Sequence, residues 1–502
     1  MDELSQELVD HIVFFASVFS VELSRLATVS RMFQRLVERL SFSYLSIKAT
    51  DAEIDEFKRI WNPRRRLLLR VLSVNVPVRH PPCNDIPNTA NKYIQVDVRA
   101  TMAPLLRLWN FLSSAWDEMA LEEGNVTLEL LLIHSANWEE HGLLFLPIDL
   151  TADAEGFQPL PFVRKFSFES DPYYWHPRML VALASRMPNL EGIYGDFECA
   201  EQGWGRYYSI DKQCLSELVQ IIKVKCLPSS VKNFVCHLKT PTIFTIAQLL
   251  PRLIEHNTPD PVGLAMRELT RHCDNISISG SFGPSLFEPP MSVLVAEAQP
   301  CWQSTTRLRV KMSVYYPDGS WLFRPREPFN SINLHEGMIN CTQLPPGYGN
   351  TKEEREAAFK YFQDHPETMD LEHTDYTIGS HLRFDAVPDD EKLNTLLVAF
   401  ARCCARMPAL KVARISLIEL LNNALSWDWP IKGFAVVCVA PFSRKLWEVE
   451  ELYRRSLEVE ESSSWTVLLR IGNWRPTSAT IAELEYIGTV KGGQPSTVSY
   501  IK

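Results

Sequence analysis

The sequence predicts an α/β fold in which a short all-helical region precedes a long body of alternating helices and strands. Three observations support this prediction. Residues 4–47 carry two amphipathic helical patterns in succession. From about residue 50, helical periodicities and short apolar runs alternate along the chain. Finally, the pentapeptides at 186–190 (RMPNL) and 406–410 (RMPAL) both lie between a helical pattern and an apolar run, as repeated units would.

The first helical pattern begins near the N-terminus. Leu4, Leu8 and Ile12 lie four residues apart, and on a helix this spacing forms one apolar stripe. Glu7 lies near the positive end of the helix dipole, where an acid is stabilising. The second pattern, in residues 23–40, spaces apolar residues by three or four with arginines between them. Two such short segments cannot enclose a core alone, so they pack against the rest of the chain or another protein.

The order of residues in this region resembles the F-box motif, a helical motif that binds an adaptor protein. The sequence differs from that motif at two places: Ser5 stands where proline is usual, and Phe33 stands where tryptophan is usual. Serine is a good N-cap, so a helix can still begin at Ser5. The residues that follow the order of the motif are Leu4, Glu7, Leu8, Ile12, Glu22, Leu23, Val29, Ser30, Arg31 and Phe42.

The resemblance implies that residues 1–48 bind a Skp-type adaptor and, through it, the cullin and RING subunits of an SCF ubiquitin ligase. Helical periodicity then separates the apolar residues into two groups. The expected adaptor contacts are Leu4, Leu8, Ile12, Leu26, Val29, Phe33 and Val37. We expect Leu23, Leu36 and Leu40 to face the chain's own body. The alternative is an ordinary helical hairpin packed on its own domain.

The body is predicted in three parts: residues 49–323, a Pro- and Gly-rich loop at 324–350, and residues 351–502. The repetition of helix and strand suggests an irregular leucine-rich-repeat-like solenoid, in which helices lie outside an inner sheet. In the repeated pentapeptide, Met closes the helix, Pro stops it and Leu begins the strand. Since no regular leucine-rich signature recurs, a generic α/β fold is the alternative.

Individual elements follow from local patterns. For example, Asp51 caps a helix that Asn62 and Pro63 terminate, and the apolar run 126–133 has the length of a buried strand. The predicted helices are 52–61, 105–121, 177–186, 211–226, 246–256, 263–273, 392–406 and 444–457. The predicted strands are 67–76, 126–133, 162–168, 190–197, 231–238, 275–282, 306–315, 410–417, 433–440 and 466–471.

Three C-terminal regions, 302–323, 384–417 and 465–474, are similar to the corresponding parts of a large group of F-box proteins abundant in filamentous fungi. The similarity is carried by the Pro-Asp-Gly-Ser-Trp turn at 317–321 and by the pentapeptide at 406–410. It implies a substrate receptor whose C-terminal body binds a target protein. The residues that would bind the target are not identified by the resemblance.

Composition narrows the classes of function. The chain has 502 residues, 46% hydrophobic and 22% charged, which is typical of a soluble globular protein. A net charge of -10 argues against a main function on nucleic acid, which needs clustered cations. No signal peptide and no apolar run of about 18 residues is evident, so no membrane partner is expected. The 11 cysteines form no C-x-x-C pair, which favours a cytoplasmic or nuclear location.

No motif of an enzyme active site was found in the sequence, which contains no G-x-S-x-G, Walker loop, G-x-G-x-x-G or H-E-x-x-H. His365, His373 and His381 recur every eight residues, a spacing that suits neither a helix face nor a zinc knuckle. We therefore expect no catalytic residues, no metal and no cofactor. Two other interpretations stay open: an adaptor-binding scaffold outside any cullin complex, and an unrecognised α/β enzyme with structural N-terminal helices.

Overall fold

In a computed structural model of the chain, most of the predicted helices and strands are present. The described residues are 6–18, 23–78, 98–117, 126–133, 156–170, 175–197, 208–238, 254–255, 258–290, 302–325, 386–417, 434–443 and 463–501. The chain divides into two compact units, Met1–Gly195 and Asp196–Lys502, here called unit 1 and unit 2. Both are mixed α/β, with mostly parallel strands.

In unit 1, three helices precede a set of parallel strands that neighbour one another in chain order. Strand β1 pairs with β2, β2 with β3, β3 with β4 and β4 with β5, all parallel. The helices are α1 (Gln6–Val18), α2 (Leu23–Ala27), α3 (Arg31–Ser43), α4 (Asp51–Ile60), α5 (Pro63–Arg66), α6 (Val98–Asp117) and α7 (Arg178–Ala184). The strands are β1 (Tyr44–Lys48), β2 (Val71–Pro77), β3 (Val126–Ile133), β4 (Val163–Ser170) and β5 (Gly192–Phe197), the last crossing the boundary between the units.

In unit 2, neighbouring strands again pair in chain order, but those near its C-terminal end are not all parallel. Strands β6, β7, β8 and β11 are parallel and lie side by side, whereas β12 is antiparallel to both β11 and β13. The strands are β6 (Asn233–Leu238), β7 (Asn275–Gly280), β8 (Arg307–Met312), β9 (Phe323–Pro325), β10 (Ala386–Pro388), β11 (Val412–Leu417), β12 (Ala435–Val439), β13 (Thr466–Arg470) and β14 (Thr497–Tyr500). The helices are α8 (Tyr208–Val224), α9 (Pro261–Leu269), α10 (Asp390–Arg406) and α11 (Ser478–Gly492).

The helices of unit 2 also pack in chain order. Helix α8 contacts α9, and a short 3₁₀ segment, Pro284–Leu286, contacts both α9 and α10. Helix α10 then contacts α11. Buried and more exposed residues alternate along β8, as expected for a strand with one face toward the core. Leu308, Val310 and Met312 are its buried residues.

A repeated turn leads the chain into its strands. In the pentapeptide at 186–190, the Leu190 N–H donates to the Met187 carbonyl at 3.1 Å. In the pentapeptide at 406–410, the Leu410 N–H donates to the Met407 carbonyl at 3.2 Å. All four of these side chains are buried. The two pentapeptides thus form the same local structure, and the prediction that they occupy equivalent places is confirmed.

The same turn occurs without the sequence signature. N–H groups at the strand entries donate to the carbonyl three residues earlier in the pairs Val163–Leu160, Val231–Pro228, Cys273–Thr270 and Thr305–Trp302. The N–H of the following residue then donates to a carbonyl at the entry of the neighbouring strand. The Thr306 N–H donates to the Asp274 carbonyl, and the Lys411 N–H donates to the Thr306 carbonyl, both at 2.8 Å. One turn geometry therefore starts successive strands despite different residues.

The Pro-Asp-Gly-Ser-Trp turn closes a small hairpin against α10. The Tyr316 N–H donates to the Ser320 carbonyl at 2.8 Å, and Gly319 lies in the left-handed region, with φ of 79°. The Tyr316 hydroxyl donates to the Lys392 carbonyl, and the Lys392 ammonium donates to the Trp321 carbonyl, each at 3.0 Å. Asp389 caps α10 by accepting from the Lys392 N–H. The turn therefore fixes the start of the helix that carries the second pentapeptide.

Several predictions differ from the structure or lie outside the described residues. The strand predicted from residue 67 begins at Val71, because α5 and a turn occupy 63–68. The predicted loop 324–350 begins with two residues of β9, which pairs with β10; its remainder lies outside the described residues, as do His365, His373 and His381. Helix 444–457 and most of helix 246–256 also lie outside them; residues 254–255, which are described, are not helical. Strand β1 and helix α11 were not predicted.

Candidate protein-binding surface

Helices α1, α2 and α3 form an N-terminal helical cluster with its own small core. Val9, Val13, Phe33 and Val37 are buried at its centre. Around this centre pack the partly buried side chains of Leu23, Leu26, Ala27, Met32 and Leu36. Val9 and Val13 are four residues apart on α1, and so are Phe33 and Val37 on α3, so each helix presents one apolar stripe to the other.

Local hydrogen bonds fix the corner between α2 and α3. The Val29 N–H donates to the Leu26 carbonyl at 3.1 Å, and the Thr28 hydroxyl donates to the Arg25 carbonyl at 2.8 Å. Ser30 is extended and is the N-cap of α3; its hydroxyl accepts from the Phe33 N–H at 3.3 Å. A serine at this place satisfies a helix N–H that would otherwise lack a partner. The motif residue Ser30 therefore has a structural role.

A second apolar stripe on α1 faces solvent. Leu8 is 53% exposed, Ile12 is 41% exposed and Phe15 is 55% exposed. Their spacing of four and three residues places them on one side of α1, away from Val9 and Val13. We call Leu8, Ile12 and Phe15 the α1 apolar face. Large apolar side chains in contiguous exposed positions mark interaction surfaces more often than isolated ones do.

Other exposed apolar groups lie close to this face in sequence. Phe14 is also exposed, and its ring centroid is 6.0 Å from that of Phe15 in an edge-on arrangement. The His11 ring centroid is 6.5 Å from the Phe15 centroid. Val29, at the corner between α2 and α3, is 41% exposed. The cluster thus exposes several large apolar side chains that are not part of its core.

The cluster is fastened to the first strand and helices of unit 1. Helix α3 runs directly into β1 at Tyr44. The Arg65 guanidinium lies 3.3 Å from a Glu38 carboxylate oxygen and 4.5 Å from the centre of the Phe42 ring. It also donates to the Ile60 carbonyl at 3.0 Å. Arg65 therefore joins α3 to the end of α4.

The predicted adaptor contacts occupy different environments. Leu8, Ile12 and Val29 are exposed, and Leu26 is partly buried. Phe33 and Val37 are buried in the core of the cluster, which favours a structural role for both of them. Leu4 lies outside the described residues.

Of the residues expected to face the chain's own body, Leu23 and Leu36 pack on the cluster core. Leu40 is exposed instead. Phe15 was not predicted, although its position three residues after Ile12 is the signal that could have identified it. The roles of all these residues in binding an adaptor stay predictions.

Several buried groups have pKa values that burial raises well above their ordinary values. Burial raises the pKa of Cys273 to about 12 and raises that of Cys236 further still. Burial also raises the pKa of Tyr316, whose hydroxyl donates to the α10 backbone. Asp260, whose pKa burial raises to about 6, accepts hydrogen bonds from backbone N–H groups of Val262 and Gly283. Each of these groups is accounted for by packing or by backbone contacts.

Neither a metal-binding cluster nor a membrane-spanning helix is found in the part of the chain that the structure describes. Within the ranges given above, no group of three or more His, Cys, Asp or Glu side chains could hold a metal ion. No helix in those ranges is both long enough and apolar enough to cross a membrane. In comparisons with known proteins, neither a protein-family model nor a curated protein matches the chain.

Proposed function

We propose that this chain is the substrate receptor of an SCF-type ubiquitin ligase, with the N-terminal helical cluster as its F-box. The observation that carries the proposal is the α1 apolar face. The core of the cluster is formed by Val9, Val13 and their partners on α3, whereas the side chains of Leu8 and Ile12 are exposed. Fully burying an exposed leucine or isoleucine side chain contributes about 1.5–3 kcal/mol. Because Leu8 and Ile12 are about half exposed, covering each of them would contribute about half of that.

The second part of the proposal concerns the body, which we interpret as an irregular leucine-rich-repeat-like solenoid. Two features support it within each unit: parallel strands that neighbour one another in chain order, and a turn that recurs at successive strand entries. In a solenoid each repeat contacts mainly its neighbours, and the stacked strands form an extended surface for binding. Such a body would bind the target.

On this proposal the chain performs no bond chemistry. It would hold a target near the ubiquitin-charged enzyme on the cullin–RING arm, and it would act by raising the local concentration of target lysines. The attachment of α3 to β1 and of Arg65 to Glu38 suits this role, because a receptor must fix the adaptor-binding face relative to the body. No cofactor or metal is needed.

The test is co-expression with a Skp-type adaptor, followed by size-exclusion chromatography and affinity measurement. We expect the wild type to form a one-to-one complex. The double variant Leu8→Asp/Ile12→Asp places two charges on the exposed face, and we expect it to weaken binding by roughly thirtyfold or more, because charged groups would have to be desolvated. Since both side chains are exposed, the variant should fold like the wild type.

A matched control places the same two changes elsewhere. Leu67 and Val224 are also exposed apolar residues, and Leu67→Asp/Val224→Asp should leave adaptor binding unchanged. A wild type that stays a monomer in excess adaptor would contradict the proposal. A stable adaptor complex that never recruits cullin would replace it with the scaffold interpretation.

A further inference from the structure

The corner between α2 and α3 carries an exposed hydroxyl group that has no part in the adaptor contacts proposed above. Thr28 is exposed in the turn that follows α2. Its hydroxyl donates to the Arg25 carbonyl at 2.8 Å. This hydrogen bond lies at the surface, where water can replace it at little cost in free energy. The Thr28 Oγ1 atom is therefore accessible to an enzyme from solution.

A cation three residues before Thr28 gives this hydroxyl a recognisable chemical context. Arg25 is exposed, like Thr28 itself. Basophilic protein kinases bind the pattern Arg-x-x-Thr, because the guanidinium pairs with carboxylates of the kinase beside the site of phosphoryl transfer. Such a short pattern recurs by chance, so exposure decides where a kinase can act. Ser73 and Thr270 also follow an arginine by three residues, but both are buried.

The structure around Thr28 is easily opened. Helix α2 has only five residues, which is too short for a helix to be stable by itself. Its side chains of Leu23 and Leu26 are only partly buried against the core of the cluster. Opening this segment therefore costs less free energy than unfolding the whole cluster. A kinase that needs an extended substrate can thus bind residues 25–29.

Thr28 also borders the surface that we propose for the adaptor. The next residue, Val29, is 41% exposed, and its N–H donates to the Leu26 carbonyl at 3.1 Å. A phosphorylated threonine carries about two negative charges at neutral pH. An adaptor that covers Val29 would remove water from this phosphate, which is unfavourable for a charged group. Phosphorylation of Thr28 would therefore weaken adaptor binding without altering the α1 apolar face.

We propose that Thr28 is the phosphorylation site of a basophilic protein kinase, and that its phosphorylation releases the chain from the adaptor. In this reaction the γ-phosphoryl group of ATP moves to Thr28 Oγ1. The bond to the β-phosphate oxygen breaks, the bond to Oγ1 forms, the hydroxyl proton passes to a base of the kinase, and ADP leaves. The modification itself depends only on the exposed Arg25 and Thr28, whereas its effect on the adaptor rests on the proposed function.

The first experiment incubates the full chain with Mg-ATP and the catalytic subunit of cAMP-dependent protein kinase, a basophilic enzyme, and locates phosphate by mass spectrometry. We expect phosphate on Thr28. Arg25→Gln removes the cation but keeps a good helix former, and it should slow phosphorylation of Thr28 by about tenfold or more, because a charge-assisted contact with the kinase is lost. Thr28→Val should carry no phosphate at this position.

The second experiment measures adaptor affinity and uses a matched site in unit 2. Ser478, at the start of α11, is exposed and follows Arg475 by three residues. The variants Ser478→Ala and Thr28→Val each leave one of the two sites, and both are treated with the kinase before titration with a Skp-type adaptor. Treatment should weaken binding by the Ser478→Ala chain at least tenfold and leave the Thr28→Val chain unchanged. Unfolding followed by circular dichroism verifies that both variants fold.

Three results would overturn the inference: no phosphate on Thr28 after treatment, unchanged adaptor affinity of the chain phosphorylated at Thr28, or equal losses of affinity in the two treated variants. Failure of the proposed function gives a different result. In that case the untreated chain binds no adaptor, and the effect on the adaptor fails with it, whereas phosphorylation of Thr28 is still measured by mass spectrometry.

Discussion

Replacing Gly488 with Ala should destabilise unit 2 by about 3 kcal/mol, an effect at the upper end of those for a single added methyl group. Gly488 lies in α11, where the chain after the helix returns close to it. A Cβ atom there would lie 2.5 Å from the Ser496 backbone nitrogen and 2.6 Å from the Gln494 carbonyl oxygen. These are backbone atoms, so no rotation of a side chain could relieve the contact.

Existing hydrogen bonds oppose any movement of α11 away from the chain that returns past Gly488. The Gly488 N–H donates to the Ser496 hydroxyl at 2.8 Å, and the Ser496 N–H donates to the Glu485 carbonyl at 2.8 Å. At its first turn α11 is bound to α10, because Asn394 Oδ1 accepts from the Thr477 N–H and the Thr480 hydroxyl. The helix therefore cannot move outward without losing these contacts as well.

Urea unfolding of unit 2 measures the loss, and a second glycine in the same helix provides the control. A Cβ on Gly492 would have as its nearest neighbour Trp465 Cδ1, at 3.8 Å, an ordinary contact. Gly492→Ala should be neutral or stabilising by up to about 1 kcal/mol, because alanine favours the helix. Equal behaviour of the two variants would show that the close approach at Gly488 does not exist.

The stability of unit 2 should fall as the pH rises through about 6, because of Asp260. This carboxyl is buried at the start of α9, where Oδ1 accepts from the Val262 N–H at 2.9 Å and Oδ2 accepts from the Gly283 N–H at 3.0 Å. Its own N–H donates to the Ser285 hydroxyl. Burial raises the pKa of Asp260 to about 6, against a lowering by the hydrogen bonds from the backbone.

A raised pKa means that the folded state binds the proton more tightly than the unfolded state does. The protonated carboxyl thus stabilises the fold at low pH, and this contribution is lost between about pH 4, near the unfolded pKa, and pH 6. The full difference between the two limits is about 3 kcal/mol, from a shift of roughly two pKa units.

The measurement compares wild type with Asp260→Asn, whose amide keeps an oxygen acceptor and does not titrate. Unfolding free energies from about pH 4 to pH 8 should show the wild type losing about 2 kcal/mol relative to the variant, since part of the titration lies below pH 4. A constant difference would contradict the prediction. A wild type that gains stability as the pH rises would mean that the backbone hydrogen bonds outweigh burial.

Much of the body could be predicted from the sequence, because its elements are marked by local signals. The pentapeptide at 186–190 ends a helix and enters a strand through a turn that the residues themselves dictate, and the one at 406–410 does the same. Helix α11 was not predicted because it lacks such a local signal: its apolar residues do not form a single stripe. Leu484 and Ile487 are buried, whereas Tyr486 and Val490 are about half exposed.

The orientation of α1 could not be predicted from spacing alone. Leu8 and Ile12 are four residues apart, and so are Val9 and Val13, so both pairs form an apolar stripe. Only the packing against Phe33 and Val37 determines that the valines face inward. The register that places Arg309 opposite Arg414 was beyond local reasoning as well, because it depends on the pairing of strands that are far apart in sequence.

Amide hydrogen exchange of the full chain, with and without a Skp-type adaptor, locates the adaptor-binding surface. On the proposed function, the α1 apolar face and the neighbouring corner at Val29 form that surface. We therefore expect slower exchange on adaptor binding in α1, α2 and the start of α3, and unchanged exchange in the strands of unit 2. Protection confined to unit 2, or no change anywhere at saturating adaptor, would contradict the account.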